Sequence, residues 1–286
     1  MTLNIAGKLI DFSTPQVMGI INVTPDSFYA ASRTPISPLS SSSVEASPIL
    51  TRAEEMIEQG ATMLDVGACS TRPGSSPISA DEEMRRLDAA FTALAVVRER
   101  FPDILFSVDT FRADIARRCV SDFGVHIIND ISAGQLDSDM FETMADLHVP
   151  YVLTHYPLPS SITPCPSSSF PASVARFFAK HLQQLQSLGI ADVILDPGFG
   201  FGKTLEENYI LMHHLADLVR LFPDNPFLIG ISRKSMIYRL LDITPDDALN
   251  GTTVLNTLAL QAGAHILRVH DVRPAVETIR LIQAVK

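Results

Sequence analysis

The sequence predicts one α/β domain, an eightfold (β/α)8 TIM barrel with a short N-terminal hairpin. Three observations carry that reading. Eight short runs rich in Val, Ile or Leu each stop at a polar residue suited to chemistry. Longer amphipathic stretches separate the runs, as buried parallel strands joined by helices require. The length, 286 residues, suits a single barrel of this kind, for which about 250 residues is typical.

Residues 2–12 read as the hairpin, LNI and KLIDF about a turn at Gly7, placed to close the apolar bottom of the barrel. The runs and their stops follow: VMGII into Asn22, TMLDV beside Asp65, ILFSV into Asp109 and HII into Asn129. Then come YVLT into His155, VIL into Asp196, FLIGI into Ser232 and HILRV into His270. The carboxyl ends of barrel strands carry the active site, so the eight stops are expected around one rim. The clearest helix runs from Ala80 to Arg100, where Met84, Leu87, Phe91, Leu94 and Val97 recur at helical spacing behind Asp81, Glu82 and Glu83. Others are expected at about 112–122, 173–188, 205–221, 252–262 and 274–285. Two Ser- and Pro-rich stretches, 32–48 and 156–171, show no periodicity and read as loops over the rim. No linker divides the chain, so residues 1–286 are expected to form one domain.

Composition narrows the partners. A net charge of −10 argues against nucleic acid or an anionic membrane. No run reaches the roughly 20 apolar residues needed to span a bilayer. The start MTLNIAGKLIDF lacks the pattern of a secretory signal. Cys69, Cys119 and Cys165 lie far apart with no paired zinc spacing, so a reducing, cytoplasmic setting is expected.

The stops sort by chemistry. In INVTPDSF, Asn22 offers an amide oxygen to a hard cation such as Mg²⁺, although Asn-Val-Thr-Pro-Asp is also an ordinary turn. In DVGACSTRPG, Ser70, Thr71 and Arg72 offer hydroxyls and a guanidinium suited to a phosphate. Asp109 and Asn129 form a carboxylate–amide set for a heterocycle, though a lone Asp after a strand is often a helix cap. ILDPGFGFGKT ends like a nucleotide P-loop, but position 197, where the first glycine would fall, is Pro197. That leaves Asp196 and a glycine-rich loop expected to present Phe199 and Phe201 to a flat ligand. Arg233 and Lys234 open a helix just past a strand, and Arg268 and His270 share one strand face. An inward arginine is costly without an anion. Arg72, Lys234, Arg268 and His270 are thus expected as a cationic cluster for a phosphate or diphosphate. Asp109, Asn129 and Asp196 form a separate pocket for an uncharged ring.

NVTPDSF, STRPG, SVDT, IIND, LDPGFGFGK, SRKSM and RVHDV occur together and in this order. In this the chain resembles the dihydropteroate synthases of folate biosynthesis, from about Gly19 to Val272. The resemblance implies a cytoplasmic, homodimeric pterin-binding barrel. Such a transferase joins 6-hydroxymethyl-7,8-dihydropterin diphosphate to p-aminobenzoate and releases pyrophosphate. It implies Asn22 as the Mg²⁺ ligand and Thr71, Arg72, Arg268 and His270 at the diphosphate. Asp109, Asn129, Asp196 and Lys234 would hold the pterin, and Phe28, Pro73, Phe201 and Ser235 the p-aminobenzoate. Asp109, Asp196, Lys234 and Arg268 would carry the chemistry. The chain departs from the family pattern at Ala30 and Ala31, where an Asp is usual, at Cys69, and in LTHYPLP, where Tyr156 replaces an apolar residue. These departures motivate an alternative, a catalytically impaired pterin-binding protein with a regulatory role. A folate-dependent methyltransferase is a further alternative, against which STRPG and SRKSM count.

Overall fold

The computed structural model describes residues 1–23, 47–69, 78–157 and 170–285. The hairpin forms from β1 (Thr2–Ile5) and β2 (Lys8–Asp11), closed by the Ile5–Lys8 pair. Its two turn residues both take positive φ, Ala6 at 53° and Gly7 at 80°. A two-residue hairpin turn of this hand needs that conformation, which glycine adopts freely.

Eight parallel strands follow among the described residues. They are β3 (Gln16–Asn22), β4 (Met63–Gly67), β5 (Leu105–Asp109), β6 (Ile127–Asp130), β7 (Tyr151–Thr154), β8 (Val193–Asp196), β9 (Leu228–Ile229) and β10 (Ile266–Val269). The sheet order is β8-β7-β6-β5-β4-β3-β10-β9. A single parallel bridge between Leu195 and Phe227 brings the two ends together. The expected eightfold barrel with its N-terminal hairpin is therefore present. β9 is shorter than the run FLIGI suggests, because a turn in which Lys234 N–H donates to the Ile231 carbonyl starts at once.

The helices are α1 (Pro48–Glu58), α2 (Ala80–Arg100), α3 (Ala113–Phe123), α4 (Met140–Leu147), α5 (Phe170–Ser187), α6 (Leu205–His213), α7 (Leu215–Leu221), α8 (Ser235–Leu241), α9 (Leu249–Gln261) and α10 (Val272–Val285). Ser79 caps α2 by accepting from the Glu82 N–H, and its three acidic first-turn residues suit the helix dipole. The stretch 205–221, read as one helix, is two, with His214 between them. α1, α4 and α8 lie outside the helices expected from the sequence; α4 and α8 span only 8 and 7 residues, about two turns each, too short for a helical repeat to stand out. Most of the Ser- and Pro-rich stretches 32–48 and 156–171 lies outside the described residues. Pro48 opens α1, and Phe170 and Pro171 open α5.

Period-two alternation sorts each strand into an outer and an inner face. Outward residues such as Leu64, Phe106, Leu153 and Leu267 pack in the layer beneath the helices. Inward, each strand gives one apolar residue to a floor: Met18, Met63, Leu105, Ile127, Val152, Ile194, Leu228 and Ile266. Leu3, Ile5 and Phe12 from the hairpin region seal that floor from below, as the sequence suggested. Two residues further along the strands the interior turns polar, with Asp65, Ser107, Asn129, Thr154, Asp196 and Arg268 above the plug. The apolar lower half fixes the barrel, and the polar upper half forms the site.

Candidate active site

The deepest feature of the site is a charge and hydrogen-bond network drawn from four strands. Arg268 on β10 donates through Nε to Asp65 Oδ2 on β4 at 2.7 Å. Through Nη2 it donates to Asp109 Oδ2 on β5 at 2.8 Å. Asn129 on β6 donates through Nδ2 to the same Asp65 oxygen at 2.9 Å. Asp65 is fully buried, so its charge depends on these partners. It also fixes the Asn129 amide, because spending Nδ2 on Asp65 leaves the carbonyl oxygen as the acceptor. Burial raises the Asp109 carboxyl, and the Arg268 guanidinium offsets part of that rise. Asp109 is not a helix cap here: α3 has no side-chain cap, and its first N–H donates to Asp137.

A second cation sits beside the third carboxylate. Lys234, the residue before α8, donates from Nζ to the Phe199 carbonyl at 2.5 Å and lies 4.0 Å from the centre of the Phe201 ring. Burial pulls it down to about 8, with Asp196 opposing the shift. Asp196 is raised by burial, partly offset by Lys234, and accepts from the Gly198 N–H at 2.7 Å. The glycine-rich loop allows this crowding. Gly198 has φ 70°, and a Cβ there would lie 2.2 Å from the His155 carbonyl oxygen. Lys203 staples the same loop, donating to the carbonyls of His155, Gly198 and Phe201 at 2.8, 2.7 and 3.2 Å. Thr204 then caps α6 in a reciprocal box with Glu207. Gly202-Lys203-Thr204 is thus loop and helix-start architecture, consistent with rejecting the P-loop reading.

Several expectations need correction. Phe199 is fully buried in the outer core and cannot face a ligand; Phe201 is the half-buried one. The stops do not all line one rim. Asp65 lies mid-strand, because the chain continues as strand to Gly67. His155 points outward among Phe170, Phe177 and Phe178, so Thr154 is the inward residue of β7. The cationic cluster is not separate either: among the described residues Arg268 lies with Asp65 and Asp109, and Lys234 with Asp196. His270 adds no charge, since burial drops it to about 3. Its Nδ1 is 3.0 Å from Ser232 Oγ, and Arg52 of α1 donates to its carbonyl at 2.7 Å. Arg233 turns away to a buried pair with Asp271 and to the carbonyls of Pro245 and Asp246.

Asn22 ends β3 opposite Gly67. A Cβ on Gly67 would lie 3.7 Å from Asp109 Oδ2 and 3.8 Å from Asn22 Oδ1, so the bare glycine lets both oxygens reach one space. An amide and a carboxylate oxygen together suit Mg²⁺, which takes few protein ligands. Ser235 is the first residue of α8, next to Lys234. Phe28, Thr71, Arg72 and Pro73 lie outside the described residues, as do Ala30 and Ala31. Sequence reasoning missed the roles of Asp65 and Lys203. The signal for Asp65 was an acid inside the apolar run TMLDV, in a chain that also carries an inward arginine needing an anion.

The barrel and its polar mouth define a pterin-binding enzyme: residues 18–270 match the pterin binding enzyme family. The chain is 38% identical to dihydropteroate synthase of Escherichia coli K12, covering 99% of this chain and 96% of that one. It is 36% identical to that of Haemophilus influenzae over 99% and 98% of the two chains. Among solved structures, the Yersinia pestis dihydropteroate synthase with a sulfonamide drug complex superposes with a TM-score of 0.85. It is 36% identical and matches over 100% of this chain and 99% of that one. The Coxiella burnetii enzyme in complex with pteroic acid also gives 0.85, at 35% identity over 100% and 98%. The chain belongs to the dihydropteroate synthase family, transferases of folate biosynthesis.

Asp65→Asn removes one buried counter-charge of Arg268 and weakens the charge-assisted bond that holds the Asn129 amide. It is expected to cost about 3–5 kcal/mol, the range for breaking a buried pair. Urea denaturation measures this; a loss below about 1 kcal/mol, the scale of an exposed pair, would show that Asp65 is not the anchor.

Proposed function

We propose that the mouth of this barrel condenses 6-hydroxymethyl-7,8-dihydropterin diphosphate with p-aminobenzoate, giving 7,8-dihydropteroate and pyrophosphate. The observation that carries the reading is the convergence of Asp109, Asn129, Asp196 and Lys234 above a closed apolar floor, with Arg268 bonded across to Asp109. Carboxylates and an amide oxygen accept from the ring's N–H groups, and Lys234 donates to its acceptors. Phe201, its face against Lys234, and Ser235, next to Lys234 in the chain, would take the p-aminobenzoate side, a role the family pattern also assigns to Phe28 and Pro73.

The reaction breaks the C–O bond between the ring's methylene and the diphosphate and forms a C–N bond to the arylamine, which gives up a proton. Positive charge develops on the methylene and negative charge on the leaving group. Asp109 and Asp196 stabilise the first electrostatically in a low-dielectric pocket. Arg268, Thr71, Arg72 and the neutral imidazole of His270 receive the second, so the diphosphate competes with Asp65 and Asp109 for the guanidinium. Mg²⁺, held by Asn22 with Asp109 nearby, would neutralise diphosphate charge. No side-chain nucleophile is required; positioning and charge do the chemistry.

The partners follow. α8, α9 and α10 leave Leu240, Leu241, Val254, Leu258 and Leu281 exposed at 45–69%. This apolar surface supports a homodimer through the carboxyl-terminal helices. No described helix is long and apolar enough to cross a membrane, and a cytoplasmic location is part of the proposal.

Two experiments test this. Purified protein is expected to release pyrophosphate only with both organic substrates and Mg²⁺. The rate is expected to fall above pH 8, because Lys234, lowered to about 8, loses its proton there. Lys234→Ala is expected to lose roughly 10²–10³-fold, the scale for removing one electrostatic donor. Tight dihydropterin binding without turnover would instead establish an impaired pterin-binding protein. In sedimentation velocity the protein is expected near twice its 31.2 kDa mass, and Leu258→Asp is expected to shift it to monomer. A wild-type monomer at micromolar concentration would contradict the dimer.

A further inference from the structure

A buried carboxylate outside the pocket remains unexplained by the chemistry above. Glu83 lies in the first turn of α2, on the outside of the barrel, and is fully buried. Both of its oxygens are used. Oε1 accepts from the Thr110 hydroxyl at 2.7 Å, and Oε2 accepts from Arg112 Nη1. Thr110 Oγ1 also accepts from the Arg112 backbone N–H at 3.2 Å. Arg112 reaches on through Nη2 to the Ile78 carbonyl at 2.7 Å.

The position of Thr110 gives this arrangement its consequence. Thr110 directly follows Asp109, and its backbone N–H donates to the Asn129 carbonyl at 3.1 Å. Asp109 and Asn129 are themselves register partners across β5 and β6. Thr110 therefore joins the main chains of the two residues that supply the carboxylate and the amide of the ring pocket. Its side chain is gripped from outside by Glu83. A strand end is where backbone order is easily lost, since the ladder stops there. Here a buried, charge-assisted hydrogen bond from the Thr110 side chain to Glu83 reinforces the last backbone contact between the two strands.

We propose that Glu83, acting through Thr110, is a positioning residue that sets the spacing of Asp109 and Asn129 for the heterocycle. Glu83 touches no part of the pocket, and Arg112 supplies the counter-charge that makes its burial tolerable. This inference rests on the proposed reading of the site as a dihydropterin pocket.

The test compares Glu83→Gln, Thr110→Val and Thr110→Ser with wild type. Calorimetry reads affinity for 6-hydroxymethyl-7,8-dihydropterin, which lacks the diphosphate, and steady-state kinetics reads KM for p-aminobenzoate. Glu83→Gln and Thr110→Val are expected to weaken dihydropterin binding by about tenfold or more, as a small misplacement of a binding group does. KM for p-aminobenzoate is expected to stay within about twofold, and Thr110→Ser, which keeps the hydroxyl, to restore dihydropterin affinity relative to Thr110→Val. A purely structural role would move both ligands together or neither, and either result overturns the proposal. Should Glu83→Gln fail to fold, Thr110→Val against Thr110→Ser decides alone. Wild-type protein that does not bind the dihydropterin would sink the reading of the site itself. Wild type that binds it, with Thr110→Val binding equally well, would sink only the role of Glu83.

Discussion

A guanidinium inside a β-barrel is tolerated only where its counter-charges are already in place, and Arg268 imposes that demand on this mouth. Its two acceptors come from different strands, Asp65 on β4 and Asp109 on β5. β3 lies between β10 and β4 in the sheet, so the bonds span the interior rather than follow one ladder. That geometry requires the run β10-β3-β4-β5 to curve round its inner face. The charge network therefore braces the curvature of these strands, while the seam between β8 and Phe227 closes through an isolated parallel bridge.

The same interaction orders the site's recognition groups. Asp65 takes the Asn129 Nδ2, and so decides which atom of that amide remains to accept. Asp109 is shared between Arg268 and the pocket. The cation on the far side, Lys234, is held near Asp196 by burial and by the Phe199 carbonyl. The glycine-rich loop can approach that closely because Lys203 ties three of its neighbouring carbonyls together. Charge is interleaved across the mouth, which suits a reaction that separates positive and negative charge over a few ångströms.

Much of this was legible in the sequence. Each apolar run fell on a barrel strand because a strand buried on both faces is mostly apolar along its length. α2 was legible from Ala80 to Arg100 because its stripe is long and its first turn acidic. Asp109, Asn129, Asp196, Lys234 and Arg268 were found because polar residues at strand ends stand out against apolar runs. The misses have a common physical cause: a strand's sequence does not say where along its length the barrel interior turns polar. Asp65 sits inside its strand and not at the end, and His155 follows Thr154 onto the outward face. Phe199 looked exposed in a glycine-rich loop but turns back into the core. His270 looked cationic, yet burial beside Arg268 keeps it neutral.

The dependence of Arg268 on Asp65 is open to one direct measurement, a double-mutant cycle in unfolding free energy using Asp65→Asn, Arg268→Gln and the pair. Residues that share a buried, charge-assisted hydrogen bond are expected to couple by about 2–3 kcal/mol, near the upper end for contacting groups. The double variant should then be far less destabilised than the sum of the singles. Additivity to within about 0.5 kcal/mol, as for distant sites, would contradict Arg268 as the interaction on which the mouth of the barrel is built.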